Sequence, residues 1–156
     1  MIVKINFKKL IICIAIPLGL GILSGLITSG SMEQFKSLDK PPLSPPAIVF
    51  PIVWSILYVL MGIASYFVLE SGVSSVGPAL RVYALQLIFN IIWPIIFFNL
   101  NMYLLAFIWL VILFLLVCLT TLLFYSCNKA AGYLMLPYLV WLVIAGYLNL
   151  GIYLLN

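Results

Sequence analysis

Histidine is absent from this chain, and acidic residues nearly so: three, against seven lysines and arginines in 156 residues. Glu33, Asp39 and Glu70 all fall outside the apolar runs. These shortages remove whole chemistries. A histidine-ligated metal or haem, a Ser-His-Asp triad and an intramembrane carboxylate relay all lack their parts. Cys13, Cys118 and Cys127 are an odd, scattered set with neither a disulfide framework nor metal-like spacing. No glycine-rich phosphate cradle is present. Charged residues make up only 6% of the chain, too little to solvate the surface of a soluble domain.

What the chain has instead is apolar length. Hydrophobic residues are 67% of it, with a mean hydropathy of +1.34. About 20 such residues cross a bilayer as a helix. The runs predict an all-α membrane protein, a bundle of five transmembrane helices in one domain over residues 1–156. The spans fall near residues 10–29, 46–69, 79–98, 102–125 and 133–155, with a long polar loop at 30–45. The first run follows a short basic head (Met1 to Lys9) as a signal peptide would, but it is longer than a signal core and lacks a small-x-small cleavage site, so we read it as a retained helix. Gly21 and Gly25 form a G-x-x-x-G there, suited to close packing within the chain or between chains. Lys4, Lys8, Lys9, Arg81 and Lys129 lie on one side of such a bundle, Lys36 and Lys40 on the other. The positive-inside rule then places the N-terminus in the cytoplasm and the first loop and C-terminus outside. Helical spans suit a bacterial inner membrane. The basic residues flank spans, so they read as topology signals and not as a nucleic-acid patch.

Polar and aromatic groups recur at helical spacing. Trp54, Tyr58, Met61 and Ser65 form one stripe on the second span; Gln86, Asn90, Trp93 and Phe97 form another on the third. Trp141, Ala145 and Asn149 follow one flank of the fifth, with Tyr138 nearby. Pro17, Pro51, Pro94 and Pro137 each remove a backbone donor inside or near the start of a span. Two accounts fit. The amides are interhelical glue, or the stripes wall an uncharged aromatic pocket between spans two, three and five that takes a flat apolar ligand. The fourth span has neither proline nor glycine and reads as lipid-facing or structural, with Trp109 in lipid contact.

The pieces KPPLSPP, VWSILYVLMGIASY, QLIFNIIWPIIFF and LPYLVWLVIAGYLN, in this order and spacing over about Phe35 to Asn149, resemble the translocator protein family, the tryptophan-rich sensory proteins. The resemblance implies a five-helix bundle, commonly a homodimer, whose cavity opens beneath the first loop and binds porphyrins such as protoporphyrin IX; no cofactor is required. Carried over, the ligand-binding residues are Trp54, Asn90, Trp93, Trp141, Ala145 and Asn149, with Phe35 and Pro45 near the mouth. Tyr58 and Phe97 join them from the stripes. The chain departs from the family pattern at Gln34-Phe35, where Trp-Tyr is common, and at Leu43, where the proline motif usually carries tryptophan. Arg81 and Leu85 replace a glycine pair used by some dimers, and the C-terminal aromatic-plus-basic cholesterol pattern is missing.

The expected role is a membrane receptor or sensor for a porphyrin-type tetrapyrrole or a similar flat apolar molecule. Light-dependent porphyrin breakdown, with Trp54 or Trp141 as radical partner, and tetrapyrrole or lipid transport are the alternatives. Coupled transport has no visible handle, because the spans carry no charge and no inverted repeat is evident.

Overall fold

The computed structural model describes residues 4–156; the first three residues of the basic head lie outside that range. Five helices are long and apolar enough to cross a membrane, and no strand occurs among the described residues. With its backbone bonds closed within each helix, such a chain satisfies the bilayer without water. It is an integral membrane protein. The helices are α1 (Phe7–Thr28), a short α2 (Met32–Lys36), α3 (Val49–Leu69), α4 (Val76–Pro94), α5 (Tyr103–Cys127) and α6 (Lys129–Leu155).

The expected polar loop after the first span is partly helical. A 3-10 turn at Ser29–Ser31 leads from α1 into α2, so the chain leaves the bundle as a stiff shelf and not as a slack tether. The expected turn between the last two spans shrinks to Asn128. Its side chain caps α6 by accepting from the Ala131 N–H at 3.3 Å. Gly132 then lets α6 cross tightly over Tyr125, against whose Cβ an added Cβ would lie at 2.5 Å.

The helices close a ring: α1 packs on α3, α3 on α6, α6 on α5, α5 on α4, and α4 back on α1. The close backbone approach of α1 is made at Gly62 of α3, which faces the Ile14 backbone and the Cys13 carbonyl. Gly21 of the G-x-x-x-G meets only the Tyr58 ring, and Gly25 faces open space. Lys9 and Glu70, 2.8 Å apart, tie the start of α1 to the end of α3.

Prolines act differently by position. Pro51 lies in the first turn of α3, where no intrahelical donor is lost, whereas Pro17 and Pro137 are internal. Pro94 is followed by a π-helical segment, Ile95–Asn99, in which the Leu100 N–H reaches back to the Ile95 carbonyl at 3.0 Å. Trp109, expected in lipid, instead donates its indole N–H to the Phe89 carbonyl at 2.9 Å. It also stacks on the Phe89 ring with centroids 4.3 Å apart, pinning α5 to α4.

Candidate functional site

Near the α2 end of the ring interior, three helices each contribute an indole. Trp54 of α3, Trp93 of α4 and Trp141 of α6 line one cavity together with Phe35, Phe50, Phe97, Phe98, Ala145, Leu148, Asn149 and Ile152. None of these side chains is charged. The cavity is small, with a free volume of about 30 Å³. Its roof is Phe35 of α2, which packs edge-on against Phe50, Phe97 and Phe98 at centroid distances of 6.5, 6.1 and 5.3 Å. Phe50 in turn meets Trp141 edge-on at 5.8 Å. The π segment after Pro94 matters here, because it brings two consecutive rings, Phe97 and Phe98, to the roof.

The walls are fixed by hydrogen bonds between helices. The Trp93 indole N–H donates to Asn149 Oδ1 at 3.0 Å, and Asn149 Nδ2 donates to the Tyr103 carbonyl at 2.8 Å, joining α4, α6 and α5. Deeper lies a second polar layer. Tyr58 Oη donates to Asn90 Oδ1 at 2.6 Å, Asn90 Nδ2 donates to Tyr138 Oη at 2.6 Å, and Tyr138 Oη donates to Gln86 Oε1 at 3.0 Å. Trp54 forms the boundary between layers, stacking on Tyr58 at 5.6 Å and meeting Tyr138 edge-on at 6.0 Å. The Trp141 indole nitrogen is buried and has no hydrogen-bond partner. An unsatisfied buried donor is costly and uncommon, and this one belongs to a side chain on the cavity wall.

Of the ten residues singled out in the sequence, Phe35, Trp54, Trp93, Phe97, Trp141, Ala145 and Asn149 line the cavity. Tyr58 and Asn90 lie beneath it as mutual partners, and Pro45 stays in the loop outside the lining. The stripes missed Phe50, Phe98, Leu148 and Ile152. Phe50 was findable, four residues before Trp54 on the same face; Leu148 and Ile152 read like any lipid-facing residues. A larger groove of about 300 Å³ runs between α5 and α6, lined by side chains such as Phe107, Val111, Val143 and Leu150. It contains no tryptophan, and Val111 and Val143 are exposed on the outer surface of the bundle, so we place the site at the smaller aromatic cavity.

The family model for the TspO/MBR family matches residues 13–155. The chain belongs to that family. It is 35% identical over 150 residues to the tryptophan-rich protein TspO of Chlorobaculum tepidum, covering 94% of this chain and 95% of the relative. It is 38% identical over 117 residues to the tryptophan-rich sensory protein of Cereibacter sphaeroides (75% and 73% covered) and 34% identical over 134 residues to the translocator protein of Bos taurus (83% and 79%). The TspO/MBR match thus spans every helix that forms the cavity, from the close approach at Cys13 to the end of α6.

Proposed function

We propose that this TspO/MBR protein is a membrane receptor for a flat tetrapyrrole of the porphyrin type, protoporphyrin IX being the probe of choice. The ligand occupies the cavity beneath α2. The observation that carries the reading is the convergence of Trp54, Trp93 and Trp141 from three helices on one uncharged cavity. The unpartnered Trp141 indole N–H supplies a donor for an acceptor atom on the guest. Aromatic walls with a few fixed polar groups are what a planar, mostly apolar molecule requires. Drug-sized ligands occupy roughly 300–1,000 Å³, so the 30 Å³ cavity must widen about tenfold by withdrawal of the Phe35 roof. By charge placement the N-terminus lies inside and α2 outside; its helical spans suit a bacterial inner membrane, and by the family resemblance it works as a homodimer.

Titrating the purified protein with protoporphyrin IX tests this reading. Indole fluorescence should fall saturably, and Trp141→Phe and Trp54→Ala should weaken the binding. Unchanged affinity in both variants sinks the assignment. A second reading, light-dependent breakdown of the bound ring, is favoured by the stack of Trp54 on Tyr58, a readily oxidised pair at the cavity wall. Illumination of the complex should then yield a new absorbing product whose formation requires Trp54 or Trp141. Bleaching that ignores both leaves binding alone.

A further inference from the structure

The cavity wall holds no charged side chain, so a ligand bearing carboxylates cannot lie wholly inside it, since an unpaired buried carboxylate is prohibitively costly. Its acid edge must remain at the mouth, where the charges near α2 decide its fate. Lys36 is already committed to Glu33, 3.4 Å away. Lys40 has no carboxylate partner among the described residues. Its Nζ donates to the carbonyls of Phe35, Leu38 and Lys36 at 3.2, 3.3 and 3.4 Å and lies 4.8 Å from the centroid of the Phe35 ring. Those carbonyls aim the ammonium but leave its charge unneutralised.

The backbone on both sides of Lys40 is also held. Asn156 of α6's terminus accepts from the Asp39 N–H at 3.0 Å and donates to the Asp39 carbonyl at 2.9 Å. Pro41 packs into the notch at Gly151, where an added Cβ would come within 2.5 Å of its ring, and the Pro42 carbonyl accepts from Tyr147 Oη at 2.8 Å. A cation held between two fastened neighbours and resting on the roof of the cavity is arranged in advance for an anion emerging from beneath that roof.

We propose that Lys40 is the specificity-determining residue for the acid edge of the ligand, so that the site prefers planar guests carrying carboxylates on one side over their neutral esters. The inference rests on the tetrapyrrole reading above. Protoporphyrin IX and its dimethyl ester, titrated in neutral detergent against the intact protein, test it. The acid should bind roughly two- to fivefold more tightly than the ester, the range expected of a partly exposed ion pair. Lys40→Gln should erase that difference and Lys40→Arg keep it, and added salt should narrow it. Equal affinity for acid and ester overturns the inference while leaving the tetrapyrrole reading intact. So does a Lys40→Gln variant that weakens both ligands by one factor, for then Lys40 only fastens the roof. If neither compound quenches the indoles, the tetrapyrrole reading fails and takes this inference with it.

Discussion

Asn90 joins three helices through one side chain, which makes its removal a quantitative test of the buried polar layer. It is 2% exposed, accepts from Tyr58 Oη and donates to Tyr138 Oη, each at 2.6 Å. Asn90→Leu deletes both bonds, at about 0.6 kcal/mol each for interhelical bonds in a membrane. It also strands the Tyr58 hydroxyl without an acceptor, a further ~1–3 kcal/mol. The sum is a loss of about 2–4 kcal/mol. Tyr58→Phe alone deletes one bond and strands Asn90 Oδ1, for about 1.5–3.5 kcal/mol by the same accounting. The double variant strands neither of the two, so it should cost only about 1–2 kcal/mol, and the pair should couple by more than ~1 kcal/mol. Tyr138 Oη keeps Gln86 as its acceptor in all three variants. Stability is read by titrating sodium dodecyl sulfate into dodecyl maltoside micelles and following helicity and indole emission. Additive effects, within about 0.5 kcal/mol, would refute the claim that Tyr58 and Asn90 satisfy one another.

The two buried indoles should respond unequally to loss of their N–H. Trp93→Phe strands Asn149 Oδ1 and should cost about 1–3 kcal/mol in the same titration, whereas Trp141→Phe, which removes a donor with no partner, should cost far less while still weakening the ligand. Gly62→Leu should drive α1 off α3, because even a Cβ there meets the Ile14 backbone; loss of protection of α1 amides in hydrogen exchange is the readout, and an unchanged exchange pattern would count against the packing. Asn156→Ala should free the Asp39 strap and speed both association and dissociation of protoporphyrin IX in stopped-flow fluorescence; unaltered rates would show that the strap does not govern the mouth.

Apolar run length was enough to predict five spanning helices, because in lipid the apolar runs must be continuous. The stripe Gln86, Asn90, Trp93 could be read from an unbroken 3.6-residue repeat, and all three side chains are buried. The repeat fails just after Pro94. Extrapolating an α-helix reaches Phe97 but not Phe98, since only the wider π turn brings both rings to Phe35. Trp109 was misread for a related reason. Its partner is a backbone carbonyl, that of Phe89, and carbonyls carry no sequence signal. The short helix α2 was hidden because a five-residue element has too little length for a period to show.

The distribution of these bonds also ranks the routes by which the proposed site could open. α3, α4 and α6 are joined by the Tyr58–Asn90–Tyr138 chain, and α4, α6 and α5 by Trp93–Asn149–Tyr103, all of it buried or nearly so. Opening the cavity by separating those helices breaks several hydrogen bonds where no water can replace them. Phe35 is held to the cavity by edge-on ring contacts with Phe50, Phe97 and Phe98, and the polar bonds around α2, Ser31 to Asn99 and Gln34 to Asn101, are exposed. Exposed bonds exchange readily with water. For the receptor proposed above, lifting α2 while the strap from Asp39 to Pro42 stays fastened to α6 is therefore the route that breaks only exposed bonds. Spreading of the bundle is the costlier route because it must break the buried bonds first.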